Sequence, residues 1–99
     1  MHYLLFYDYV EDYVARRAPL RAQHLALARQ SHEKGDLVMA GALADPHHGA
    51  VLGFRGESPA AAEAFAKSDP YVSGAVVKKW EVKRWVTVLG DGVEMPQLK

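Results

Sequence analysis

Apolar positions crowd the N-terminus of this chain. In His2-Tyr3-Leu4-Leu5-Phe6-Tyr7-Asp8-Tyr9, the residues Tyr3, Leu5, Tyr7 and Tyr9 fall on one side of an extended backbone, and Leu4 and Phe6 fall on the other. The pattern predicts a first strand that is apolar on both faces and needs cover on both. From about Val10 to Lys34 the spacing becomes helical, and the stretch ends at Gly35, a residue suited to the left-handed turn that closes a helix. Pro19 divides it. The residue before a proline is pushed out of the helical region, so the sequence predicts a short leading turn and then a main helix from Pro19.

Leu37 to Leu43 reads as a second strand and Ala50 to Gly56 as a third, with turn chemistry in Asp45-Pro46-His47-His48-Gly49 between them. The two form a hairpin. Ser58, a good N-cap, precedes Pro59, which is favoured at a first helical position, so a second helix starts there. It runs through Ala60 to Lys67 and stops near Asp69-Pro70. Val76 to Val88 is a last strand, with Val76, Trp80, Val82, Val86 and Val88 on one face and Lys79, Glu81 and Lys83 on the other. Residues from Gly90 to Lys99 show no periodicity. The organisation is thus one α+β domain over residues 1–90 with a tail at 91–99.

The order β-α-β-β-α-β is the ferredoxin-like arrangement: a four-stranded antiparallel sheet with both helices on one face. The other sheet face stays open. An open face carrying Tyr and Leu is too apolar to leave wet, and a second copy of the chain is the economical cover. A homodimer packed sheet against sheet, a dimeric α+β barrel-like assembly, is expected, with Tyr3, Leu5 and Tyr7 as its apolar contribution.

One residue interrupts the apolar stripe of the main helix. At about 100° per residue, Leu20, His24, Leu27 and Ala28 share a side, while Gln23, Arg29 and Glu33 lie elsewhere on the wheel. Imidazole is the side chain that titrates nearest neutrality. At the edge of a core it is either a hydrogen-bonded structural group or a proton-transfer group.

Composition narrows the chemistry. The chain has 99 residues, 49% of them apolar, with 12 basic and 12 acidic side chains, so it holds one small core and no basic surface of the kind that drives nucleic-acid binding. It has no run long enough for a membrane span and no basic, apolar leader. It contains no cysteine, which removes thiol nucleophiles and Cys-based metal sites and fits a cytoplasmic protein. His47 and His48 are adjacent in a turn, without the i, i+4 spacing or the acidic neighbours of a metal site, so no metal is expected. His2 and His32 read as solvent-facing. No Gly-rich phosphate loop and no Gly-x-Ser-x-Gly elbow occur. What remains for unaided side chains, with no cofactor, is proton transfer.

Several segments resemble one family. They are Tyr3-Leu4-Leu5-Phe6-Tyr7-Asp8, Arg16-Arg17-Ala18-Pro19-Leu20-Arg21-Ala22-Gln23-His24-Leu25, Ala40-Gly41-Ala42-Leu43-Ala44-Asp45-Pro46 and Ser68-Asp69-Pro70-Tyr71-Val72. Together they are similar to the YCII-related (YciI-like) proteins over about nine-tenths of the chain. The resemblance implies a ferredoxin-like dimer, related in fold to small muconolactone-isomerase-type proteins. It also implies a His–Asp pair at a pocket, carried here by His24 and Asp69. One activity known in that family is dehydrochlorination of a chlorinated hydroxyquinone.

On the residues alone, Asp69 before Pro70 is equally a turn-forming aspartate. If it meets His24, it fixes the imidazole tautomer and makes an acid/base dyad. Arg16, Arg17 and Arg21 flank the start of the main helix. They form a solvated face, or one of them, with Arg17 the choice, holds a substrate oxygen. Tyr7 and Tyr9 line the pocket or serve the dimer packing, and Tyr7 and Tyr71 are further substrate-binding candidates. Gly41 permits close approach of a ligand, or of a neighbouring strand. Two functions stay open: a cofactor-independent enzyme acting on a small conjugated carbonyl compound, and a non-catalytic small-molecule-binding or interaction module of the same fold. A His24–Asp69 bond at the wall of an open pocket favours the enzyme. A His24 sealed in the core and bonded to backbone favours the module.

Overall fold

The strand with apolar residues on both faces sits at the centre of the sheet. In the computed structural model, which describes residues 1–46, 48–91 and 93, β1 (His2–Tyr9) is flanked by β3 (Gly49–Arg55) and β4 (Val77–Trp85). The strand β2 (Leu37–Ala42) lies outside β3, giving the antiparallel order β2-β3-β1-β4. This is the ferredoxin-like α+β arrangement expected from the order of elements. Leu5 pairs with Leu52 on one side and Val82 on the other, which puts three branched side chains in one row facing the helices.

The helices are α1 (Tyr13–Arg17), α2 (Arg21–Glu33), α3 (Ala60–Ser68) and α4 (Pro70–Ser73). Beneath them lies the core, with Leu5, Leu52, Phe54, Phe65 and Val76 at or below 4% exposure. Each such side chain contributes about 1.5–3 kcal/mol by leaving water. The helix α2 has no fully buried residue; Leu20, Leu27 and Ala28 are its half-buried contacts with the core. His24 shares that stripe, as the 3.6-residue period requires. Gly35 takes φ +87° just past α2, the left-handed closure its position predicts.

Several expectations are corrected. Tyr3, Leu5 and Tyr7 do not face the open side; all three are buried under the helices. The apolar part of the open face is instead Leu4, Phe6 and Val51, half-buried, with Met39 at 76% and Trp85 at 51% exposure. The last strand stops at Trp85 rather than Val88. Its partner β1 begins at His2, opposite Trp85, and supplies nothing for Val86 and Val88 to pair with. The register also shifts between Asp8 and Tyr9, so Val77 rather than Val76 joins Trp80 and Val82 in the ladder facing the helices.

The main helix starts at Arg21, two residues after Pro19, with Leu20 at the cap position. The second helix starts at Ala60 with Pro59 at the cap position, and the Ser58 hydroxyl accepts from the Ala60 N–H at 3.3 Å. His2 is not solvent-facing: it is 7% exposed and its ring bonds Thr87 at 3.2 Å. His32 is exposed, and its Nδ1 donates to the Leu37 carbonyl at 2.8 Å. His47 and most of the tail at 91–99 lie outside the described residues. Among the described residues, no helix is long and apolar enough to cross a membrane.

Candidate active site

The site begins with a chain break between two helices. Asp69 leaves α3 with an extended backbone, ψ 123°, and at once serves as the N-cap of α4. Its Oδ1 accepts the Tyr71 N–H at 3.0 Å, and Pro70 occupies the first helical position. The Asp-Pro pair is the same start signal as Ser58-Pro59, and it locates α4 in the sequence. Gly74 ends α4, and a Cβ there would run into the Leu20 side chain. Glycine at that point lets α4 close against the start of α2, where His24 is carried.

Asp69 has no exposed surface. A buried carboxylate needs donors, and it has three. Tyr7 donates its hydroxyl to Oδ2 at 2.7 Å, Tyr71 donates its backbone N–H, and His24 Nδ1 lies 2.9 Å from both oxygens. All of them use the aspartate as an acceptor. Nδ1 of His24 therefore carries the proton and donates it, which assigns the tautomer from the hydrogen-bond network.

The imidazole is held on every side but one. Tyr71 stacks on its face, with ring centroids 3.8 Å apart and 6° between planes. Phe65 meets it edge-on at 6.4 Å. Among the described residues Nε2 has no hydrogen-bond partner, yet no buried side-chain nitrogen or oxygen is left unsatisfied. It follows that Nε2 is open to the cavity that His24 lines. With Nδ1 protonated, it is a free lone pair at a pocket wall, which is the requirement for a general base.

That cavity, about 230 Å³, lies between α2 and the β2–β3 edge of the sheet. Its floor and walls are small or apolar: Ala28, Ala40, Gly41, Ala42, Ala50 and Leu52. Tyr9, Tyr71, Arg17 and Arg21 complete it beside His24. Burial pushes the Tyr9 phenol up to about 12. Burial also raises the Tyr71 phenol, while the Arg17 and Arg21 charges pull it the other way. Arg17 sits over the Tyr13 ring at 5.4 Å, and Tyr13 stacks on Tyr9 at 4.9 Å, so an aromatic column holds this guanidinium at the mouth.

Four of the six residues singled out from the sequence line the cavity, His24, Arg17, Gly41 and Tyr71, and Asp69 stands behind His24. Nothing lies within 4 Å of a Cβ built on Gly41, so close approach of a neighbouring strand is not what this glycine serves. Tyr7 is placed differently. It is 3% exposed, lies behind Asp69 and does not line the cavity. Its role is to orient the carboxylate. Burial first, and the bond to Asp69 second, push its own phenol upward, keeping it a neutral donor. Tyr9, a pocket candidate from the sequence, and Arg21, one of the three arginines flanking the main helix, also line the cavity.

A YCII-related domain matches residues 1–86. The chain belongs to the YCII-related family. Within it, the proteins called YciI from Escherichia coli and Shigella flexneri are each 33% identical to this chain over 92 residues, covering 84% of it and 94% of their own length. Among solved structures, the chain is similar to 5-chloro-2-hydroxyhydroquinone dehydrochlorinase (TftG) from Burkholderia phenoliruptrix in complex with 2,5-dihydroxybenzoquinone. The TM-score is 0.71 at 20% identity, with 86% of this chain and 93% of that one covered. This likeness shows that the YCII-related chain has the fold of a protein that binds a small quinone.

Proposed function

We propose that this YCII-related protein is a cofactor-independent enzyme that moves a proton on a small oxidised aromatic or conjugated carbonyl compound. The observation that carries the reading is the free Nε2 of His24 facing an apolar cavity while Nδ1 is tied to a buried carboxylate. A residue serving packing alone has no need of an open nitrogen. In its most concrete form the reaction is dehydrochlorination of a chlorinated hydroxyquinone, the class of reaction named for the structural neighbour. His24 takes a proton from a ring hydroxyl and returns one to the ring carbon that bears chlorine, giving the ketone tautomer. Chloride then leaves with the C–Cl bonding pair as a second hydroxyl gives up its proton, and conjugation is restored. The net change is loss of HCl, so no external oxidant is needed. Asp69 holds His24 in the reactive tautomer, and Arg17 binds a ring oxygen.

Chloride release from 5-chloro-2-hydroxyhydroquinone, followed with a chloride electrode under anaerobic conditions, tests this directly. Release in step with protein concentration is expected. A rate equal to the protein-free control would sink the dehydrochlorinase form.

The same reading has the protein working as a homodimer joined through its open sheet face. Leu4, Phe6, Val51, Met39 and Trp85 give that face an apolar centre. Along β4 the same face carries Lys79, Glu81 and Lys83, a polar margin beside that centre. Sedimentation at micromolar concentration should give twice the chain mass, and Phe6→Asp should return the monomer mass. A monomer in the unaltered protein would remove this assembly.

A further inference from the structure

Among the described residues, nothing neutralises two cations at the mouth of the cavity. Arg17 and Arg21 both line it, yet none of the ion pairs among the described residues engages either one. Arg16, their neighbour, behaves differently: it turns away to Asp12 at 3.0 Å. Of the three arginines at the end of α1 and the start of α2, the two that reach the cavity are therefore the two without an ion-pair partner among the described residues. Both share the lining of that cavity with Tyr71 and Tyr9, and both charges pull the Tyr71 phenol down. Arg17 is half-buried against Tyr13, and its position is fixed by that ring rather than by a counter-charge.

Opposite them the described lining of the cavity holds no compensating carboxylate. Asp69 is sealed behind the imidazole with its oxygens engaged by Tyr7, His24 and the Tyr71 N–H. The remaining lining is Ala, Gly and Leu. A pocket with an apolar slot at one end and two open guanidiniums at the other is complementary to a flat molecule whose charge is concentrated on ring oxygens. Its volume is near the lower end for ligand cavities, which limits the occupant to a single ring.

We propose that Arg17 and Arg21 make the site selective for the charge state of its substrate: the ligand is a monocyclic oxyanion, an enolate or phenolate, bound with its negative oxygens between the two guanidiniums. This rests on the functional reading above and sharpens it. Arg21 becomes a specificity-determining residue, and uncharged rings of the same size bind more weakly because they give the two guanidiniums no anionic partner.

Binding, rather than turnover, separates this from the reaction assigned to the site. The probes are 2,5-dihydroxybenzoquinone, a vinylogous acid ionised at neutral pH, and hydroquinone, a planar six-membered carbon ring with para oxygens that is no larger and is uncharged. Calorimetric titration of the unaltered protein at pH 7 and low salt should show the anion binding at least about tenfold more tightly, the worth of charge-assisted hydrogen bonds to guanidinium. Arg21→Gln and Arg17→Gln should each weaken the anion by roughly tenfold and leave hydroquinone unchanged, and Arg21→Lys should recover part of the loss. Added salt should weaken the anion alone. Equal affinities for the two rings, or an Arg21→Gln loss shared by both, would overturn the charge selectivity and leave the proton-transfer reading standing. Failure of both rings to bind the unaltered protein would overturn both.

Discussion

His24→Ala lowers chloride release by about 10²–10⁴-fold, the usual worth of a general acid–base group. The expectation follows from the one unengaged atom in the cluster. Nε2 is the only polar atom of the dyad that reaches the cavity; Asp69 is sealed and cannot replace it. The substitution also removes a donor from a buried carboxylate and a stacking partner from Tyr71. That costs about 1–3 kcal/mol of stability, less if water enters from the cavity to take the place of the imidazole. The two effects are separable by measuring thermal unfolding and turnover on the same preparation. A variant that melts earlier yet releases chloride at the unaltered rate per folded molecule would show that His24 serves packing alone.

The sequence carried the order of elements because each boundary has a local cause. Gly35 closes α2 through its left-handed backbone, and the polar turn after Ala42 separates two apolar runs that pair as a hairpin. His24 was visible because helical periodicity alone puts it between Leu20 and Leu27. Its meeting with Asp69 was not written in any local pattern, since 45 residues separate them and the family resemblance supplied the pairing. The capping logic of Asp69-Pro70 was present in the chain and identifies α4, but four residues carry too little periodicity to announce a helix.

What the sequence could not assign was direction. A strand apolar on both sides does not say which side the helices take, so Tyr3, Leu5 and Tyr7 were expected at an interface and are found in the core. The same ambiguity hid the role of Tyr7. Its alternation fixes the face it shares with Leu5, while only packing against α4 puts its hydroxyl on Asp69 rather than in the cavity. The end of β4 was equally non-local: Val86 and Val88 keep the alternating pattern, and pairing ends because β1 begins at its second residue.

Asp69→Asn is expected to cost about as much turnover as loss of the imidazole itself, again roughly 10²–10⁴-fold, with the fold retained. The change is nearly isosteric, so its effect comes from hydrogen-bond polarity. The Tyr71 N–H is a backbone donor that cannot reverse, and it holds the amide oxygen at the Oδ1 position. The amide nitrogen then takes the Oδ2 position, facing the Tyr7 hydroxyl and His24 Nδ1. The tyrosine can turn its hydroxyl to accept. The amide oxygen at Oδ1 still accepts from Nδ1–H, but the amide N–H at the Oδ2 position, equally close to Nδ1, now favours the tautomer with its proton on Nε2, which converts the nitrogen at the cavity wall from a lone pair into an N–H. The catalytic base is weakened without removing an atom from the cavity lining. Nitrogen-15 NMR of the imidazole should report the switch as an exchange of the two ring-nitrogen environments. Tyr7→Phe is the matched control: it removes one donor to Asp69, costs about 1–3 kcal/mol of stability and leaves the Nδ1–H tautomer in place. Full turnover in Asp69→Asn, or an unchanged tautomer with turnover lost, would show that the carboxylate does not act on the reaction by setting the protonated nitrogen of His24.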